Sequence, residues 1–198
     1  MTTVEKAYHH GDLRAALLAA ALESVEAGEA PSMRAVARRA GVSPTAPYRH
    51  FADRDALDSA LAVRGFDELH EDLTAALAEV PPSAIAAETL GALAVAYVDF
   101  ALRRPALFRL MFGGACDPEN SDRVRASGQL HELLGGIVTR LFPASDVSSL
   151  AQSLWALAHG LAFLHLDGKL RPESTSEVEA RVRASIAAIL TFTEGAIA

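Results

Sequence analysis

Cysteine is nearly missing from this 198-residue sequence: Cys116 stands alone. An internal disulfide is therefore impossible, and a cysteine-rich zinc module is excluded. Strand-forming residues are also sparse, with 13 Val and 5 Ile against 40 Ala. Alanine is the strongest helix former and is depleted in strands, so a sheet-dominated fold is disfavoured. The opening Met1-Thr-Thr-Val-Glu-Lys6 carries no apolar segment of the secretory type. Only residues 147–166 run long without Asp, Glu, Lys or Arg, close to a bilayer-spanning length. Their Ser148, Ser149, Gln152, Ser153, His159 and His165 favour a helix surrounded by protein over a membrane span. What the chain does have is apolar bulk, 51% hydrophobic residues, which suffices for a substantial core. The expectation is an all-α, cytoplasmic protein without membrane contact.

Acid outweighs base overall, for a net charge of −7, which argues against general coating of nucleic acid. The balance is uneven. Residues 1–55 are neutral, residues 56–198 carry the whole −7, and residues 31–54 hold five Arg against the single acid Asp53. A local basic patch on an acidic chain fits a small polyanion-binding module, residues 1–55, joined to a different unit, residues 56–198.

Helical periodicity and punctuation divide the chain into about nine helices. The first covers 10–27 and is stopped by Gly28. Ser32 then caps a short helix with Met33, Val36, Ala37 and Ala40 on one face and Arg34, Arg38 and Arg39 turned away. Gly41 ends it, and Ser43-Pro44 is expected to restart a third helix running to about Phe51. Asp53 caps a fourth that reaches Pro81-Pro82. Helices at 83–104, 105–112, 121–142 and 145–166 follow, and Ser174-x-x-Glu177 is a capping box opening the last. A loop with Cys116, Asp117 and Pro118 separates the sixth and seventh.

The informative constellation lies between Ser32 and Leu57. Two short helices meet across Gly41-Val42-Ser43, a bend too tight for antiparallel packing, so they cross steeply. That is the geometry in which a second helix enters a DNA major groove. Ser43, Thr45, Tyr48, Arg49 and His50 concentrate small or planar hydrogen-bonding groups in about two turns. Arg38, Arg39 and Arg54 flank them within reach of phosphates. The competing reading makes Tyr48 a packing residue and Arg49 an ordinary solvated charge. His9 and His10 belong either to a groove-seeking arm or to a loosely ordered terminus.

The run Met33-Arg-Ala-Val-Ala-Arg-Arg-Ala-Gly-Val-Ser-Pro-Thr-Ala-Pro-Tyr-Arg-His-Phe-Ala-Asp-Arg-Asp-Ala-Leu57 resembles the DNA-binding domain of TetR-family transcriptional regulators. Tyr8-His-His-Gly-Asp-Leu-Arg14 is similar to the start of one branch. Arg104-Pro-Ala-Leu-Phe-Arg-Leu-Met-Phe-Gly113 and Trp155-Ala-Leu-Ala-His-Gly160 resemble that branch's WHG-type C-terminal domain. The resemblance implies phosphate contacts from Tyr48 and His50, base-edge contacts from Thr45 and Ala46, and a phosphate contact from Arg54, where the family usually has Lys. Pro47 departs from the common pattern: it lacks an N–H and disfavours α geometry at Ala46.

Nine of the 12 aromatic residues lie beyond residue 56, in the acidic part. Tyr97, Phe100, Leu107, Phe108, Met111, Phe112, Leu134, Trp155 and His159 are candidates to line a cavity for a largely apolar ligand, with plain core packing as the alternative. The resemblance implies a small effector there. No catalytic constellation, cofactor site or metal site is expected; His159 and His165 are six apart, not the three or four that share a helix face. A helix-turn-helix monomer reads few base pairs, so a homodimer on a double-stranded palindromic operator is expected. Its interface would use helices 145–166 and 175–197, including Val178, Val182, Ile186 and Ile189, unless those faces are buried within one subunit. The implied function is a ligand-responsive regulator, with the repressor sense taken from the resemblance. The rivals are a helical small-molecule-binding protein without DNA binding and a structural interaction protein.

Overall fold

The computed structural model describes residues 10–113, 120–172 and 174–195. His9 and the loop of Cys116, Asp117 and Pro118 lie outside them. Eight α-helices and one 3-10 turn make up the described residues, with no strand among them. They are α1 (His10–Glu26), α2 (Met33–Arg39), the 3-10 turn Ala46–Arg49, α3 (Arg54–Ala78), α4 (Ala86–Arg103), α5 (Pro105–Phe112), α6 (Ser121–Leu141), α7 (Val147–Leu166) and α8 (Thr175–Gly195).

Local chemistry sets most boundaries. The Ser32 hydroxyl accepts from the Ala35 N–H at 3.2 Å at the start of α2, and Asp53 Oδ1 accepts from the Ala56 N–H at 2.8 Å at the start of α3. Asp146 and Ser174 cap α7 and α8 in the same way. Each cap satisfies a backbone donor that has no partner in the helix and contributes about 1 kcal/mol. Gly41 takes φ +70° after α2, a left-handed conformation open to glycine at little cost, and this aims the chain into the turn.

The expected third helix is not an α-helix. Only Ala46–Arg49 is regular, and it is 3-10. Ser43 does not cap it; its Oγ lies 3.3 Å from Thr45 Oγ1 instead. Pro44 and Pro47 explain the difference. Neither has an N–H, so the α ladder across this segment lacks its first donors, and Pro47 also disfavours α geometry at Ala46. Flanking the turn's own 3-10 bonds, the Ala46 N–H donates to Ser43 O and the His50 and Phe51 N–H groups donate to Pro47 O. The Pro47 ring is buried and locks the turn onto the core.

Two apolar cores share one chain. The first joins Leu17, Ala21, Met33, Val36, Phe51, Leu57 and Leu61 from α1, α2, the turn and the start of α3. Arg14 stacks over Phe51, its guanidinium carbon 5.3 Å from the ring centre. The second core begins with Ala62 and Phe66 further along α3 and extends through α4 to α8. α3 therefore enters both, and so does α5: Ala106 and Leu110 pack on the first core while Leu107, Phe108 and Met111 are buried in the second. At Gly65 a Cβ would stand 2.5 Å from Met111 Sδ, so only a glycine lets α3 and α5 approach this closely without displacing Met111. Arg104 tightens the same junction. Its guanidinium lies 3.0 Å from Glu26 of α1 and 3.2 Å from Glu68 of α3, in ion contact, though not aligned as hydrogen bonds.

Because Gly41 holds a positive φ, Gly41→Ala is expected to destabilise the protein by about 1–2 kcal/mol. Urea unfolding followed by circular dichroism measures this, with Gly128→Ala, in open space on α6, as a control expected to be neutral or stabilising.

Candidate nucleic-acid interface and effector cavity

The bend at Gly41 and the proline-locked turn present a continuous polar face. Ser43, Thr45 and Arg49 are exposed, Tyr48 is 54% exposed although large and aromatic, and Ala46 and His50 are half-buried. Arg38 and Arg39 of α2 and Arg54 at the start of α3 border this face, all exposed. Arg39 is drawn toward Glu29 at 3.3 Å and Arg54 toward Asp58 at 3.2 Å. Both pairs are solvent-exposed and worth little, so either guanidinium can exchange its partner for a phosphate. Arg34, Arg38 and Arg49 make no ion pair among the described residues. All nine residues expected on this face are brought together by it, and none is in the core. The start of α3 adds its own unsatisfied N–H groups.

Beyond the junction, α3, α4, α6, α7 and α8, together with Phe112 of α5, line a half-open cavity of about 80 Å³. Tyr97, Phe112, Leu134 and Trp155 line it as expected. Phe100, Leu107, Phe108 and Met111 do not: all four are at most 2% exposed and packed in the core beside it. Helical spacing shows that these residues face inward, but it does not show where the neighbouring helices leave a gap. His159 is also off the wall. Its Nδ1 is 2.8 Å from the Tyr97 hydroxyl, and its ring sits among Phe108, Phe112, Trp155 and Phe163 at centroid distances of 4.7–5.7 Å.

The wall also contains residues that sequence reasoning passes over: Phe66 and Leu73 of α3, Leu90 of α4, and Ser127 and His131 of α6. Ser127 and His131 carry a readable signal, two polar groups four apart on the same α6 face as Leu130 and Leu134. Among the described residues, no Asp, Glu, Lys or Arg lines the cavity. Burial pushes the Tyr97 phenol well above its ordinary range, against the smaller opposite pull of a hydrogen bond from Trp155. Burial likewise holds His159 below the usual histidine value, so its ring stays neutral. Among the described residues no three His, Cys, Asp or Glu side chains gather as a metal site.

The outer helices correct a further expectation. Val178, Val182 and Ile186 are at most 7% exposed because α8 packs them inward on α4. α8 leaves Ala180, Ala184 and Ala188 outward, with Glu179 and Arg183 exposed beside them. α7 is long and apolar enough to cross a membrane by length and composition, yet only 22% of its most apolar stretch is buried within the subunit. Its open side runs through Ser149, Ser153, Ala156, Gly160 and Leu164.

Comparison with known proteins agrees with this layout. A family model described as bacterial regulatory proteins of the tetR family matches residues 17–61, which span α1 to the early part of α3. A second, described as a tetracyclin repressor-like C-terminal domain, matches residues 90–189, half of the chain. The chain belongs to the TetR family. A solved protein of unknown function from a Rhodococcus species is 37% identical, with 92% of this chain and 97% of that one covered and a TM-score of 0.80. PfmR, a TetR-family transcriptional regulator from Thermus thermophilus, shares the fold at 21% identity, 96% and 97% coverage and a TM-score of 0.61. A tetR-family transcriptional regulator from Streptomyces coelicolor does so at 18% identity, 95% and 84% coverage and a TM-score of 0.74. No curated protein matches the sequence. In kind, then, this TetR-family chain is a DNA-binding transcriptional regulator, and regulators of this family are generally not enzymes.

His159 and His165 make the protein acid-sensitive in a defined sense. Burial is the largest cause lowering both, with the Arg181 charge adding to it at His165. The unfolded chain takes up protons near the ordinary value of 6.5 that the folded protein refuses, so stability is lost as pH falls below that value. Thermal melts from about pH 7.5 to about pH 5 are expected to show a falling midpoint. Replacing both, His159→Phe with His165→Leu, should make that fall shallower; an equally steep fall in the double variant would contradict the assignment.

Proposed function

We propose that this TetR-family protein is a ligand-responsive repressor that binds a palindromic operator as a homodimer and is released by a small, largely apolar effector. The carrying observation is the exposed face of Ser43, Thr45, Tyr48, Arg49 and His50 beside the Gly41 bend, flanked by arginines on an otherwise acidic chain. In this reading residues 1–55 bind DNA and residues 56–198 bind the effector and the second subunit. Arg38, Arg39, Tyr48, His50 and Arg54 hold phosphates and fix the register. Ser43, Thr45, Ala46 and Arg49 stand nearest the base edges. The setting is cytoplasmic, where DNA and effector meet. The narrower likeness to a WHG-type C-terminal domain is supported by 104–113 and 155–160 alone.

Homodimerisation through α7 and α8 is supported by the uncharged, largely uncovered side of α7 and the alanine face of α8 beside it. Two such faces related by a two-fold axis would form a four-helix interface. Release of DNA then runs through α5. An effector entering the cavity displaces Phe112, and the rigid eight-residue helix carries that shift to Ala106 and Leu110 on the first core. The pairs of Arg104 with Glu26 and Glu68 hold the two units in one relative position until then. The effector acts by binding one of the two arrangements more tightly.

Fluorescence anisotropy with DNA from upstream of the protein's own gene tests the DNA reading. Affinity should fall at least a hundredfold, to order of magnitude, from 50 to 200 mM salt, and Tyr48→Ala should weaken binding about tenfold across sequences. A flat salt response would leave a small-molecule-binding protein without DNA activity as the better description.

For the dimer, Gly160 is decisive because no other part of its own subunit lies within 4 Å of a Cβ there. Gly160→Arg should leave helicity intact and lower the light-scattering mass from twice 20.9 kDa to 20.9 kDa. A wild-type monomer, or a variant that stays dimeric, would exclude this face as the interface.

A further inference from the structure

The arginines of this chain differ in what holds them. Beyond residue 56, Arg64, Arg103, Arg109 and Arg181 each hold a carboxylate of their own subunit. On the polar face around the Gly41 bend, Arg38 and Arg49 hold none among the described residues. Arg14 of α1 shares that state, although it lies outside the stretch from Ser32 to Leu57. It is exposed, and its guanidinium makes no ion pair or hydrogen bond among the described residues. Its own helix offers no partner, since His10, Gly11, Leu17 and Leu18 are the residues three and four away. It is the sole Lys or Arg of α1 and lies toward the helix N-terminus. The helix dipole favours cations at the opposite end, where α1 carries Glu23 and Glu26 instead. Neither a salt bridge nor the dipole accounts for an arginine here.

What holds Arg14 is an aromatic ring. Its guanidinium carbon lies 5.3 Å from the centre of Phe51. That ring is 3% exposed and fixed in the first core, and the Phe51 N–H donates to Pro47 O at 3.0 Å, which fixes its backbone to the turn. The residue before it is His50, on the polar face, and Arg54 follows at the start of α3. Arg14 is therefore anchored at the corner where the turn runs into α3. A guanidinium over a ring engages its flat face and keeps its N–H donors, which lie in its own plane, for another partner. An exposed, unpaired fork held in place by a buried ring is prepared for an oxyanion with two oxygens to offer.

Resting on the DNA reading of the polar face, we propose that Arg14 is a further DNA contact, holding a backbone phosphate on the His50 side of the turn while Phe51 keeps its guanidinium in place. A phosphodiester is met without regard to base, so Arg14 adds affinity and register but no sequence preference. The footprint on the duplex then extends to α1 as well as α2, the turn and the start of α3. The competing account makes Arg14 a cover for the Phe51 ring and nothing more. The two accounts differ over charge: a cover is replaceable by any apolar side chain of similar length, whereas a phosphate contact is not.

Salt-dependent binding separates them. Two labelled duplexes serve as probes, one from upstream of the protein's own gene and one of scrambled sequence, each titrated with the intact protein from about 50 to about 200 mM salt. Arg14→Leu keeps an apolar stem on Phe51 and removes the charge; Arg14→Lys keeps the charge. On both duplexes Arg14→Leu should make the slope of log affinity against log salt shallower by about 0.9 per bound subunit, while Arg14→Lys retains the wild-type slope. Arg140→Gln, at an exposed arginine of α6 far along the chain, controls for net charge and should leave the slope unchanged. Thermal melting checks the fold of each variant, and Arg14→Gln repeats the measurement if the leucine shifts the midpoint. A wild-type slope retained by the uncharged Arg14 variants, or a slope lowered equally by Arg140→Gln, overturns the Arg14 contact and leaves the DNA reading standing. A flat slope for the wild-type protein on both duplexes overturns the DNA reading and the Arg14 contact with it.

Discussion

The structure depends on an eight-residue helix that two cores must share. α5 buries Leu107, Phe108 and Met111 in the larger core and lends Ala106 and Leu110 to the smaller one. Neither core is complete without it. Close-packed interiors do not deform smoothly, so a shift of α5 at one end is transmitted to the other rather than absorbed. Gly65 makes the fit close enough for that, and Arg104 reaches across with its two carboxylate partners. These ion pairs involve buried Arg104 nitrogens and are not aligned as hydrogen bonds. Their value is geometric, since a single guanidinium links α1, α3 and the start of α5.

Electrostatics divides the labour in the same way. The polar face around the Gly41 bend concentrates arginine, whereas no charged side chain among the described residues lines the cavity. In the proposed reading each environment is matched to its ligand: a hydrated, positive, exposed face for a polyanion, and a small, largely apolar pocket beside a buried histidine and phenol for an effector. The uncharged side of α7 belongs to neither environment, and in the proposed dimer it meets a second subunit.

Much of this is legible in the sequence where the cause is local. Ser32, Gly41, Asp53 and Ser174 mark helix ends because a cap or a positive φ involves only a few neighbouring residues. The all-helical fold follows from the alanine excess. The turn after Ser43 reads as an α-helix only while Pro44 is weighed as a helix starter; the missing donor at Pro47 is more than a local weakness, and it ends α geometry there. The cavity is half legible. Tyr97, Phe112, Leu134 and Trp155 line it, but Phe100, Phe108 and Met111 fill the core beside it, because a void depends on how five helices meet and leaves no periodic trace in any one of them. On α8 the bulky Val178, Val182 and Ile186 go inward, while Ala180, Ala184 and Ala188 stay outside with Glu179 and Arg183.

The central claim is that filling the cavity moves the DNA-binding turns through α5. The direct measurement is the distance between spin labels at Arg34→Cys in the two subunits of the dimer, with native Cys116 replaced by Ser, by pulsed electron resonance with and without a saturating cavity ligand. The account predicts that the distance distribution shifts by several ångströms on ligand binding and that Arg104→Met, which removes both ion pairs, broadens it in the free protein. Identical distributions in the two states, accompanied by loss of operator affinity, would contradict it.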